Sequence, residues 1–410
     1  MYSRISAVRE SKLVIQKDVR STSHSKLVDV QPLYFGLCMI LHLNFLKSVL
    51  RKLKLTFYHI DKAGRFLGRL AELKFTMGTS IFLVAFIFAL FLAAIMFVLK
   101  FPLIYALIGT ILFILIQYLI GPAIVRSSTR LRYLKSGENP WFESTVKELA
   151  DKSRTPMPKL AVVPDNTPNA FVFGRTAGGA TLAVHEGLLT SLNKDEVKGV
   201  IGHELGHIKH KDYIVMTVLS ALPLLAYLVA RGTWQAARFA GSSRKKEEGS
   251  MRAALFIVGI LSYVVYIVSL LCVMRLSRLR EHYADAYSAY VTNSPRSLQS
   301  ALAKITYGLS LSPKPPSGAR AFYIGDPALA KQEIQGIMAK RQEYDLDRDG
   351  VLDEKELELA MEKEAKSTWS KINTWFSTHP PTFKRVLVLR EIEKEMETGR
   401  YASDRVYASI

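Results

Sequence analysis

The stretch His203-Glu204-Leu205-Gly206-His207 has the form H-E-x-x-H. On a helix its two histidines lie one turn apart on one face, so both imidazoles can reach a single metal ion. Zinc suits such a pair: it takes neutral nitrogen ligands at tetrahedral positions and keeps one position open when it is catalytic. Glu204 stands beside them, placed to take a proton from an attacking water instead of ligating. The flanks predict a helix. Asn193-Lys-Asp-Glu196 has the form of an N-cap with an acidic residue three positions on, close to a capping box. Val197, Val200, Ile201, Leu205 and Ile208 then recur at helical spacing. The histidines share that apolar face. A coincidental pair buried there would need other hydrogen-bond partners.

The chain has 410 residues, enough for two or three domains. It is 49% hydrophobic and carries a formal net charge of +19. Nucleic acid and the anionic face of a membrane compete to explain that charge. Apolar runs decide between them. Thr79 to Leu99 is long enough to cross a bilayer, Lys100 and Pro102 break it, and Leu103 to Val125 follows. Arg126, Arg130, Arg132 and Lys135 come next, and Lys and Arg crowd the segment before the hairpin. The positive-inside rule puts both ends in the cytoplasm, and no nucleic-acid partner is needed. Tyr213 to Ala230 and Ala253 to Met274 are two further runs of spanning length. The link between them, with Lys245 and Lys246, would then lie outside. Charge argues mildly against that, and a hairpin only partly in the membrane would satisfy both rules. Length favours two spans, giving about four in all. Residues 1–78 are basic and poorly patterned, fitting either a membrane-surface segment or a start placed too early. No cleavable signal peptide is evident. Cys38 and Cys272 form neither a disulfide framework nor a cysteine zinc site.

Between the hairpins the chain reads as α+β: a helix from Trp141 to Lys152, strands at Lys159–Val163, Asn169–Gly174 and Ala180–Val184, and a short helix from Glu186 to Leu192. The fold class expected is an α+β membrane protein, mainly helical, with a small β-sheet.

Catalytic zinc usually takes three protein ligands. The metzincin pattern needs Gly at 210 and His at 213, but the chain has His210 and Tyr213. His210, between Lys209 and Lys211, reads as a solvated side chain. Glu281 is the better third ligand. Asp285 lies one turn on, where it can hydrogen-bond a ligating histidine. His282 points to another face.

These motifs, with Asn169-Ala-Phe171 and Ser377-Thr-His-Pro-Pro-Thr382, make the chain resemble the HtpX-like integral-membrane zinc metallopeptidases from about Met77 onward. The resemblance implies a gluzincin fold, one Zn2+ held by His203, His207 and Glu281, a cytoplasmic active site, and quality control of misfolded or membrane proteins. Substrate is expected to pair with a sheet edge, at Asn169–Phe173 by the residues, and the resemblance implies the stretch that follows Asn169-Ala-Phe171, with Asn169, Ala170 and Phe171 as candidate substrate-binding residues. The residues alone also allow Ala180–Val184 as that edge. His379, held by two prolines, can donate to an oxyanion or simply pack the C-terminal helix. The alternatives to a quality-control protease are a CAAX-type processing peptidase and a calcium-sensing scaffold with a non-catalytic zinc site.

One motif lies outside the family pattern. Asp345, Asp347, Asp349, Val351, Asp353 and Glu356 fall at the ligand positions of an EF-hand loop, with Gly350 at its sharp turn. Ca2+ is the expected ligand. The organisation expected is a basic extension (1–78), a membrane hairpin (79–125), a peptidase part with H-E-x-x-H (126–212) and a second hairpin (213–274). The third-ligand segment (275–325), an EF-hand-like insertion (326–366) and a closing segment (367–410) follow.

Overall fold

Two apolar helices open the described chain: α1, Leu70–Leu99, and α2, Leu103–Thr129. Pro102 separates them in extended backbone, since its ring bars continuation of α1 and suits the start of α2. The computed structural model describes residues 70–99, 102–239, 246–311, 323–348, 354–366 and 377–397. The basic extension up to residue 69, and Asp349, Val351 and Asp353 of the acidic loop, lie outside them.

After α2 come β1, Arg132–Tyr133, α3, Pro140–Lys152, β2, Lys159–Val163, and β3, Ala170–Phe173. Then follow β4, Thr181–His185, α4, Glu186–Ser191, α5, Lys194–Lys209, and α6, Asp212–Phe239. The chain goes on through α7, Lys246–Thr292, and α8, Pro295–Leu311. It ends with α9, Pro327–Ala339, α10, Arg341–Tyr344, α11, Glu354–Lys366, and α12, Thr382–Glu397.

The sheet runs β1-β2-β4-β3, with β2 and β4 parallel and the outer pairs antiparallel. Alternation along each strand sorts the side chains onto two faces. Val162, Ala170, Leu182 and Val184 join the main core with the helices. Ala161, Val163, Phe171, Phe173 and Ala183 form a second cluster with Val125 of α2, so the first hairpin's end covers that face. β4 lies inside the sheet and cannot be the substrate edge; β3 is an edge strand among the described residues. β1 was not legible because two residues carry no pattern.

Among the described residues, three helical stretches are long and apolar enough to cross a bilayer: Leu107–Thr129, Asp212–Arg238 and Met251–Thr292. Met77–Ala93 in α1 is a shorter apolar stretch. Val84, Phe88 and Phe91 of α1 pack with Leu219 and Leu222 of α6 and Val265, Cys272 and Leu276 of α7. Ile111 and Ile124 of α2 turn outward, 65% and 57% exposed, as lipid-facing residues do. α7 is unbroken, so the fourth apolar run and Glu281 share one helix.

Candidate metal centre

The helix carrying H-E-x-x-H begins with the box its sequence promised. The Asn193 side chain accepts the Glu196 N–H at 2.9 Å, and the Glu196 carboxylate accepts the Asn193 N–H at 2.8 Å. α5 then presses against α7 and α8. A Cβ at Gly199 would meet the Leu298 backbone at 2.8 Å, and one at Gly206 would lie 3.2 Å from the Ala284 Cα. The Ser288 hydroxyl closes the contact, donating to the Gly199 carbonyl at 2.6 Å. This close approach brings α7 carboxylates to the histidines.

His203 Nε2 lies 3.1 Å from His207 Nε2; Glu281 brings Oε2 to 3.5 Å from His203 Nε2 and Oε1 to 3.5 Å from His207 Nε2. Three ligands of a tetrahedral zinc, each about 2.0–2.2 Å from the ion, stand about 3.3–3.5 Å from one another. The three groups therefore fit zinc. Glu281 Oε2 is buried, 3.4 Å from Arg385 Nη1 and 3.5 Å from His203 Nε2. Burial alone would lower the His203 pKa, yet hydrogen bonds with Asp285 and Glu281 push it up to about 9. His207 is pushed down, first by burial and then by His203.

Each histidine is backed by a carboxylate and each carboxylate by an arginine. His203 Nδ1 lies 2.9 Å from Asp285 Oδ1. Arg385 grips Asp285 with two bonds, Nε to Oδ2 at 2.9 Å and Nη2 to Oδ1 at 2.7 Å. It also donates to the Ile324 carbonyl at 2.6 Å. His207 Nδ1 lies 2.7 Å from Asp212 Oδ2, and Arg280 bonds Asp212 from α7. Such partners fix the tautomer and aim the lone pair. Asp285 was read from its spacing to Glu281; Asp212, Arg280 and the grip of Arg385 were not. Lys211, in the left-handed region at φ 56, makes the turn that returns Asp212 to His207.

Glu204 is buried beside the pair and is not among the metal-holding atoms. Burial raises its carboxyl pKa, against the pull of His207 and His203. His379 joins the site: its Nε2 is 3.8 Å from Glu281 Oε1, and its Nδ1 is 3.0 Å from the Thr378 hydroxyl. Asn169 turns inward at the start of β3. Its Oδ1 accepts the Ile324 N–H at 2.9 Å, and its amide lies 3.4 Å from His185 Nε2. Ala170 and Phe171 continue along β3 as buried side chains. His282 is outside the metal group.

His210 needs correction. It is not solvated: its ring packs edge-on against Tyr283, centroids 4.3 Å apart, and against Tyr287 at 5.6 Å. As the C-cap of α5 it faces α7, whereas its lysine neighbours had suggested water. In the acidic loop, Asp345, Asp347 and Glu356 bring ligand atoms within 4.8 Å of one another.

The family model of peptidase family M48 matches residues 136–393, more than half of the chain. A protease HtpX homolog of Aeropyrum pernix is 35% identical over 276 residues, covering 67% of this chain and 82% of that protein. A protease HtpX homolog 2 of Methanosarcina mazei is 30% identical over 339 residues, covering 82% and 99%. Ste24p of S. mikatae, a solved structure, is 17% identical with a TM-score of 0.42, over 85% of this chain and 74% of that one. With an M48 match over both histidines and Glu281, and HtpX relatives aligned over most of their length, the chain belongs to peptidase family M48 as an HtpX-like membrane metallopeptidase.

Proposed function

We propose that the protein is a zinc-dependent endopeptidase that cuts unfolded or membrane proteins at the cytoplasmic face. The observation that carries this is the convergence of His203, His207 and Glu281 within 3.1–3.5 Å beside a buried Glu204. When bound, zinc supplies Lewis acidity toward the scissile carbonyl and its water. Glu204 takes the proton from the attacking water and returns it to the leaving amine, a sequence its raised pKa suits. His379 donates from Nε2 to the developing oxyanion. The Thr378 hydroxyl at Nδ1 can donate to that nitrogen, which leaves the proton on Nε2. Burial lowers the His379 pKa, which favours a neutral donor.

Substrate lies extended along β3, Ala170 to Phe173, where main-chain pairing is indifferent to sequence. Asn169 holds the start of that strand instead of touching substrate. The cytoplasmic placement rests on Arg126, Arg130, Arg132 and Lys135 after the first hairpin.

The test is cleavage of casein by detergent-purified protein, wild type against Glu204→Gln, with and without zinc. Zinc-dependent cleavage lost in the variant is expected. Zinc bound without turnover on casein or a prenylated peptide would favour the scaffold; cleavage of the prenylated peptide alone would favour CAAX-type processing.

We also propose calcium for the acidic loop. Support comes from its EF-hand spacing and from Glu356, buried with its Oε1 accepting the Leu346 and Asp347 N–H groups. Calorimetric titration with Ca2+, wild type against Glu356→Gln, tests it. No heat of binding in the wild type would remove the reading.

A further inference from the structure

α9 packs against α11 through Ile337, and none of its residues belongs to a metal-binding group among the described residues, yet it carries a buried acid. Glu333 is 7% exposed. Its Oε1 accepts the Thr382 N–H at 2.9 Å, and its Oε2 meets no donor among the described residues. Thr382 is the first residue of α12 and directly follows His379-Pro-Pro381. Its hydroxyl is bonded to the Thr306 hydroxyl of α8 at 2.8 Å. One turn along α9, Ile337 packs with Phe383, the next residue of α12, together with Tyr344 of α10 and Ala360 of α11. The same face of α9 therefore holds two successive residues of α12. Two positions further on, Arg385 grips Asp285 behind His203.

We propose that Glu333 is a positioning residue for the active site: its buried carboxyl latches the first turn of α12 and so fixes His379 and Arg385 relative to the zinc ligands. The inference rests on the peptidase reading above. A helix start has amides in need of acceptors, and this one draws its acceptor from a neighbouring helix, not from its own cap. Burial pushes the Glu333 carboxyl up to about 8, against the pull of Thr382 and of the α12 charges Arg385 and Lys384. α8 meets this corner through Thr306, and α11 through Ala360. The latch is neutral near physiological pH. A proton bound more tightly in the folded chain makes stability fall as pH rises from the ordinary carboxyl range through about 8.

Glu333→Leu and Glu333→Gln are compared with wild type for kcat and KM from about pH 6 to pH 10, for zinc content, and for melting temperature. The leucine variant should keep zinc and KM within about twofold while kcat falls about tenfold. Glutamine keeps an acceptor without a charge. It should restore kcat and remove the alkaline limb that wild type shows near 8. Its melting temperature should pull ahead of wild type as pH rises to that point and stay level above it. Unchanged kcat in the leucine variant, or no rescue by glutamine, overturns the proposal. So does a loss of zinc, KM and kcat together in both variants, which marks mere unfolding. A wild type as inert as Glu204→Gln removes the peptidase reading instead. The latch is then judged on melting temperature: a widening gap keeps it, and a gap flat with pH sinks it.

Discussion

His203 and His207 belong to one motif but are held from different parts of the molecule. Behind His203, Asp285 and Arg385 are almost fully enclosed, and the arginine makes two bonds to the carboxylate. Behind His207, Asp212 begins the membrane helix α6, and its partner Arg280 lies on α7 just past the apolar run. The His207 side chain is 16% exposed, against 1% for His203. One ligand is thus locked by the closing helix of the soluble part and the other by the foot of the membrane hairpin. Damage to either region reaches the metal, through a different histidine.

The largest effect should leave both chains intact. Glu204→Gln should lower kcat by about 10²–10⁴-fold with zinc content unchanged, since neither chain passes through it. A variant that lost its zinc would show that Glu204 helps hold the ion. Next comes Asp285→Asn, which should weaken zinc by about 10–100-fold in a chelator competition and leave Arg385 as a buried charge short of its partner. Asp212→Asn should fall at the low end of that range, about tenfold, because water can reach His207. Equal losses would erase the distinction between the chains; a larger loss for Asp212 would reverse it. The smallest effect is remote from both: Asn193→Ala breaks the capping box of α5. It should cost about 0.5–2 kcal/mol in denaturant unfolding without moving zinc affinity.

How far the sequence carried the reading follows the same line. His203, His207, Glu281 and Asp285 could be found because each pair is four residues apart, a spacing that places side chains on one helical face. Asp212 is five residues from His207, off that face. It reaches the ring because the chain reverses at Lys211. Arg280 and Arg385 lie 68 and 100 residues from the carboxylates they bind, and no local pattern reports such distances. Gly199, Gly202 and Gly206 were a legible signal left unread: glycines at these intervals form a smooth stripe, and α7 and α8 lie against it. His210 was misjudged because its lysine neighbours speak for themselves, not for the tyrosines of a helix seventy residues on. The strands were found by alternation, but which of them was the edge depended on pairing order.

The unbroken α7 acts as a ruler. Its apolar run stops at Met274, and Glu281 follows seven residues later on the same helix. At 1.5 Å per residue the ligand stands about 10 Å beyond the greasy segment. An extended polypeptide covers that height in about three residues. On the proposed peptidase reading, with the bilayer surface at the end of the apolar run, a protein drawn sideways out of the lipid would meet the cutting point almost as soon as it left, and moving that point outward would take a longer rod, not a different active site.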